Sequence, residues 1–309
     1  MHATITLADL VPGDLCASDR VALRRRARHA VCIGVLDARA SAHFEDPSSA
    51  RYFDERYRDL RKDEATARPT YAVRDDAGRV HFWSDDGPTY VWPHGALGPS
   101  ATAFFADAFA THMLLSSIPS TIALHAAALR RNDAAFAITG LSTAGKSTTA
   151  LACVTAGAQL YSDERCVTSP QGTIPYPRTL NVRRGGIDLL VATLPACALR
   201  DRLAAHRGSD WNSVRFDELF GASPLPEPAP LRAIFAIVGR DAAPRSRAIE
   251  PAAMLPLAEP AAKVWARGID RVCALVALFG RVACYELVLG TPLDTARHVL
   301  ARVDELSAR

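Results

Sequence analysis

Lysine is nearly absent from this chain of 309 residues: Lys62, Lys146 and Lys263 are the only three, and arginine supplies the rest of the positive charge. A chain that uses arginine wherever a cation will serve makes the lysine at 146 one to explain. The seven cysteines, at 16, 32, 153, 166, 197, 273 and 284, form no C-x-x-C pair. That removes the usual thiolate metal and dithiol redox motifs, and an odd count points to reduced thiols and a cytoplasmic setting. Long apolar runs are lacking as well. The stretch 186–200 is interrupted by Asp188 and Pro195, and the opening MHATITLADLVPGDL has no basic start followed by an apolar block; no membrane partner is expected. The formal charge is only +3, with Arg interleaved among Asp and Glu, so nothing calls for nucleic acid as a partner. No internal repeat or long low-complexity tract occurs.

What is present is apolar material for a sizeable core: 49% of the residues are hydrophobic, and the length fits one large or two modest domains. The first hundred residues are rich in Arg, Asp and aromatic side chains. YAVRDDAGRVHFWSDDGPTYVWP (71–93) reads as hairpins around D-A-G and D-D-G turns. Residues 50–64 show helical spacing in Tyr52, Phe53, Tyr57 and Leu60, with a charged solvated face. An apolar helix over 99–120, with Pro119 near its end, bridges into the second part. Strands are expected at about 121–129, 134–139, 158–162, 166–169, 231–239 and 282–289, and helices at about 146–156, 251–267 and 292–306. GASPLPEPAPLR (221–232), with four prolines, is expected to be an exposed connection. The pattern predicts an α/β chain, with a smaller α+β domain over 1–118 and a second domain over 119–309.

Between the expected strand 134–139 and helix 146–156 lies Gly140-Leu141-Ser142-Thr143-Ala144-Gly145-Lys146-Ser147. It fits G-x-x-x-x-G-K-[ST] without mismatch, in the strand-turn-helix context that the motif needs. Glycines at both ends let consecutive N–H groups, those of Ser142, Thr143 and Ala144 among them, turn inward around phosphate oxygens. The helix adds its positive end at the same point. Lys146 brings a compact mobile ammonium suited to a β- or γ-phosphate, which accounts for lysine in an arginine-rich chain. Ser147 offers a hydroxyl for Mg²⁺. The bland alternative is a small-residue turn joining strand to helix.

Binding a nucleoside triphosphate is not yet a function; transfer needs a carboxylate for the metal and a group for the acceptor proton. GAQLYSDERCVTS places Asp163 and Glu164 just past a short strand beside the loop. One could hold Mg²⁺ and the other accept a hydroxyl proton; S-D-E-R is equally an ordinary surface turn. His125, in the apolar segment IALHAAAL, fits a core histidine as well as a catalytic one.

Taken together, His125, the loop opening at Gly140 and the pair Asp163-Glu164 resemble the C-terminal domain of the HPr kinase/phosphorylase family. There a strand histidine precedes the loop and an acidic pair follows it at closely similar distances. The resemblance covers about 120–309 and is most specific over 125–164. It implies a P-loop kinase domain of the HPr kinase/phosphoenolpyruvate carboxykinase type, with ATP and Mg²⁺ as cofactors. It further implies nucleotide contacts from Gly140, Gly145, Lys146, Ser147 and Thr148, a metal held by Ser147 and Asp163, and proton transfer by the acidic pair and His125. The family usually shows Asp-Asp, and here the second member is Glu164; the added methylene moves that carboxylate by more than about an ångström, which favours Asp163 as base or metal ligand and leaves Glu164 secondary. LNVRRGGIDLL (180–190) is similar to the family's Arg-Gly segment near the acceptor site, so Arg183 or Arg184 could pair with a transferring phosphate, although a solvated arginine fits as well. Tyr285 is read as a core or edge residue.

The first hundred residues do not resemble the N-terminal domain of the bacterial regulatory enzyme, which sets aside its phosphocarrier substrate. Size and layout look like the branch of these kinases encoded beside lasso peptides and other ribosomally made peptides, in which a serine hydroxyl near the precursor's C-terminus is phosphorylated. The expected partner is therefore a peptide or protein with an acceptor serine, bound by adding a strand to the front domain. A small alcohol such as free serine, or a nucleotide-sensing module without turnover, are the competing readings. Hexamers occur in the resembled family, but the different front domain removes much of the basis for carrying one over, which leaves a homo-oligomer as an open reading. A gluconeogenic carboxykinase and a DNA-translocating ATPase are disfavoured, since neither set of additional motifs is found.

Overall fold

The computed structural model describes residues 9–63, 67–85, 87–94, 96–207, 211–221, 226–258, 262–264 and 269–308. It is a mixed α/β structure in two compact units, Met1–Ile118 and Pro119–Arg309.

The first unit runs β1 (Val11–Gly13), α1 (Ala17–Arg24), β2 (His29–Val35), β3 (Ala38–Phe44), α2 (Pro47–Arg56), β4 (Arg68–Arg74), β5 (Val80–Ser84), β6 (Thr89–Val91) and α3 (Pro99–Ser116). Its sheet has the order β1-β6-β5-β4-β3-β2. The expected hairpins are there: β4 pairs antiparallel with β5, and β5 with β6. Strands β3 and β4 are parallel, joined through α2, whose start is set by the Asp46 carboxylate accepting the Ser48 and Ser49 N–H groups at 3.1 and 2.8 Å. The helix expected over 50–64 stops at Arg56 and gives way to a single 3₁₀ turn, Arg58–Leu60. Phe53, Tyr57 and Leu60 are buried, whereas Tyr52 is 46% exposed, because residues four apart share a helix face and a direct neighbour does not. Residues 64–66 lie outside the described residues. The helix expected to reach 120 ends at Ser116, short of Pro119, whose ring disfavours helical geometry in the residue before it.

The second unit runs β7 (Ile122–Leu124), β8 (Ala126–Arg131), β9 (Ala134–Thr139), α4 (Lys146–Thr155), β10 (Gln159–Ser162), β11 (Cys166–Ser169), β12 (Gly172–Ile174), β13 (Leu180–Arg183), α5 (Arg184–Thr193), α6 (Ala198–Ala205), β14 (Trp211–Val214) and α7 (Phe216–Phe220). It continues with β15 (Leu231–Arg240), β16 (Arg245–Ala248), α8 (Pro251–Ala258), β17 (Ala262–Val264), α9 (Ile269–Phe279), β18 (Ala283–Leu289) and α10 (Pro292–Ser307). The main sheet has the order β10-β8-β9-β15-β18-β16, with β9, β15 and β18 parallel and the flanking strands antiparallel. A second sheet has the order β12-β11-β7-β17, and β13 pairs with β14.

Both faces of the main sheet are covered, so every residue of β9 is buried. Phe136 and Ile138 face one way, into a cluster with Leu151 of α4, Leu190 of α5 and Val299 of α10. Ala135 and Ala137 face the other, against Met254 of α8 and Phe279 of α9. Phe136 meets Phe235 edge to face at 6.4 Å between centroids; each such buried ring contributes about 1.5–3 kcal/mol. Tyr285 stacks on Phe235 at 5.0 Å and packs at the margin of that cluster.

Three expectations are corrected here. The strand expected over 121–129 is broken at His125: β7 pairs with β11 in the second sheet, and β8 pairs with β9 in the main one. The helix expected over 251–267 ends at Ala258, because β17 is drawn off to pair with β7; 259–261 and 265–267 lie outside the described residues. In the proline-rich segment, 222–225 also lie outside them. Its end is not an exposed connection: Ala229 and Leu231 are buried, and the main chains of Ala229 and Thr173 exchange hydrogen bonds at 2.7 and 3.2 Å. Prolines lack the donor, but the alanine between them keeps it. Among the described residues no helix is long and apolar enough to cross a membrane.

Candidate functional site

The C-terminal end of β9 opens directly into the glycine loop, and α4 starts at Lys146. Gly140 and Gly145 have φ of +148° and +113°, and Thr143 lies at +69°. The backbone angle requires glycine at 145, and a Cβ there would come within 2.7 Å of an Arg240 nitrogen and 3.1 Å of Leu289 Cδ1, pushing the guanidinium off the loop.

Lys146 is only 8% exposed. Its ammonium folds back over the loop and donates to the carbonyls of Gly140 (2.9 Å) and Leu141 (3.1 Å). Burial pushes its pKa down, opposed by the charge of Asp163. Asp163 follows the last residue of β10 and is 2% exposed. Burial pushes its pKa up, with the Ser147 hydroxyl, the Asn181 main-chain N–H, Arg178 and Lys146 pulling the other way. Asn181 N–H donates to Asp163 Oδ2 at 3.2 Å, while Oδ1 is buried without a hydrogen-bond partner.

Around the loop lies a pocket of about 340 Å³, lined on the loop side by Ser142, Thr143, Gly145, Lys146, Ser147 and Thr148. Gly140 and Ala144 are not on the lining; their carbonyls instead hold Lys146 and Arg240. His125 and Glu164 are on it, and Asp163 is not. His125 is exposed at the break between β7 and β8, outside the core, and its carbonyl accepts from Thr139 Oγ1 at 3.2 Å. Glu164 is held at both oxygens, by an ion pair with the buried Arg178 and by Asn181 Nδ2 at 3.2 Å. Of the two candidate arginines, Arg183 is exposed and lines the pocket, whereas Arg184 is outside the lining and pairs with Asp188 at 3.7 Å.

The donors present suit Mg²⁺: the Ser147 hydroxyl is on the lining, and the Asp163 carboxylate that it touches lies buried behind it with one oxygen lacking a partner, both hard oxygen donors of the kind that ion takes beside substrate phosphates. Among the described residues no cluster of three or more His, Cys, Asp or Glu side chains could hold a metal by itself. Burial pushes the Cys153 and Cys166 thiols up to about 12, which leaves them no thiolate chemistry.

The sequence placed the segment 180–190 near the acceptor site but named only Arg183 and Arg184 in it, leaving Asn181, Val182, Gly185, Gly186 and Leu189 of the lining unnamed, and it missed Arg178 and Arg240 altogether. Gly185 and Gly186, following two arginines at the start of a helix, carried a readable signal; Asn181 and Arg240 carried none. No protein-family model matches the chain, and no curated protein matches it.

Proposed function

We propose that this protein is an ATP- and Mg²⁺-dependent kinase with a catalytic domain of the HPr kinase/phosphoenolpyruvate carboxykinase type, acting on a serine hydroxyl of a peptide or protein. The observation that carries the reading is the shared burial of Lys146 and Asp163 against Ser147, directly behind a glycine loop whose two end residues sit at positive φ. Loop N–H groups and the Lys146 ammonium bind phosphate oxygens, and Ser147 with Asp163 holds the metal. When bound, Mg²⁺ shields charge on the phosphoryl group being transferred. Glu164 and His125 are the side chains on the lining that can orient the acceptor hydroxyl and take its proton. Asp163, off the lining, serves the metal rather than the acceptor. Seven lining residues, His125, Ser142, Thr143, Arg183, Gly185, Leu189 and Arg240, are exposed, which suits an extended acceptor better than a closed metabolite cavity. A ribosomal lasso-peptide precursor is the acceptor class that the family resemblance favours.

The test is incubation of purified protein with γ-labelled ATP, Mg²⁺ and a panel of serine-bearing precursor peptides, free serine and no acceptor. Label on a peptide serine supports the proposal. Label on free serine alone moves the function to a metabolite kinase, and ATP binding without transfer to any acceptor makes the protein a nucleotide-sensing module.

Asn181 touches both acidic side chains. Asn181→Ala keeps the main-chain N–H on Asp163 and removes only the amide on Glu164. The expected result is a kcat lowered roughly 10-fold with the KM for ATP unchanged, since acceptor alignment is lost and donor binding is not. Steady-state kinetics with varied ATP checks it.

A further inference from the structure

Strand β15 lies beside β9 and ends at the loop. Along β15, Ala233, Phe235 and Ile237 face the α4 side of the sheet, and Ile234 and Ala236 face the α8 side. Strict alternation would send residue 240 to the α8 side. The pairing with β18 slips first: Ile237 is opposite Leu287 and Gly239 is opposite Val288, which leaves Val238 as an extra residue. Such a bulge reverses the face taken by everything after it. Arg240 therefore pairs with Leu289, whose side chain belongs to the α4-side cluster, and its guanidinium arrives at the loop, where Nη2 donates to Ala144 O at 3.1 Å.

Arg240 is exposed and lines the pocket next to Gly145. Lys146 grips the carbonyls at the start of the loop, and Arg240 the carbonyl at its end. Two cations thus flank the turn from different elements. A guanidinium carries five N–H donors in a planar fork suited to phosphate oxygens, and the bond to Ala144 engages one of its nitrogens.

We infer that Arg240 is a second donor-binding cation, contacting an oxygen of the nucleotide's polyphosphate chain from the β15 side. This rests on the kinase reading of the same pocket. The alternative role is a brace that only holds the loop through Ala144, and Arg240→Gln separates the two, because an amide can still donate to that carbonyl but carries no charge.

The experiment is calorimetric titration of the full chain with Mg²⁺-ATP and with AMP, at low and high salt, for wild type, Arg240→Ala, Arg240→Gln and Lys146→Met. The expected result is roughly 10-fold weaker ATP binding in both Arg240 variants, AMP binding unchanged, and a flatter dependence of ATP affinity on salt. Thermal melts of the variants confirm folding, since the side chain is exposed. The inference is overturned if Arg240→Gln binds ATP as wild type does, whether or not Arg240→Ala is weakened. If wild type does not bind Mg²⁺-ATP, or Lys146→Met binds it equally well, the kinase reading itself fails and the inference with it.

Discussion

Lys146→Met is expected to lower kcat/KM for phosphoryl transfer by roughly 10²–10³-fold, the cost of removing one preorganised charge from a site where negative charge develops. The side chains have similar length, so the change is one of charge rather than shape. Stability should change little. Lys146 as a whole is 8% exposed, and burial already disfavours the charged form of its ammonium. What is lost is two charge-assisted hydrogen bonds, to Gly140 O and Leu141 O, each worth about 1.5–3 kcal/mol, and what is gained is relief from desolvating a cation, a cost of several kcal/mol that offsets them. Label transfer measured beside a thermal melt checks both halves. Full activity in a folded Lys146→Met protein would remove the basis of the proposal.

Asp163→Asn should be as damaging to transfer, by roughly 10²-fold or more, yet it should change the response of stability to pH in a particular direction. The native carboxyl has its pKa raised above the ordinary 3.8, chiefly by burial. Between that ordinary value and the raised one the native state binds more protons than the unfolded chain. Stability therefore falls as pH rises through the window, and the full native advantage of the protonated form is present only below it. Asparagine cannot ionise, so the variant should lack this falling limb. Denaturant midpoints taken from pH 3.5 upward, for wild type and Asp163→Asn, give the difference curve. A difference that stays flat, or that rises with pH in favour of wild type, would contradict the assignment of Asp163 as a carboxylate held in its charged form at a cost to stability.

The parts of the fold that the sequence makes legible are those in which the signal is local. The strand at 134–139 and the helix start at Lys146 agree with β9 and α4 to the residue, because an apolar run, two glycines and a helix-forming stretch follow one another within a few turns of chain. The same holds for α10, where Thr291 caps and Pro292 opens the helix. The break at His125 is not legible: β7 and β8 are both apolar, and a change of sheet leaves no mark on a continuous apolar run that is buried on both faces. The end of α8 at Ala258 was hidden for a similar reason, since its residues are apolar in a way that fits helix and strand equally. Asn181 and Arg240 reach the pocket through strand pairing and, for Arg240, through one extra residue in β15. No propensity at either position encodes that. The same distinction explains why the loop residues could be named individually while the side chains that hold Glu164 could not.

The buried thiols have a practical consequence. Cys153 sits in the cluster on the α4 side of the main sheet and Cys166 in the cluster on the α8 side, both fully enclosed. A maleimide reagent should ignore them while the second unit is intact and modify them only as each layer opens. Comparing the labelling rates at the two positions by mass spectrometry then tells whether the two halves of the interior come apart together or one before the other, without any engineered probe.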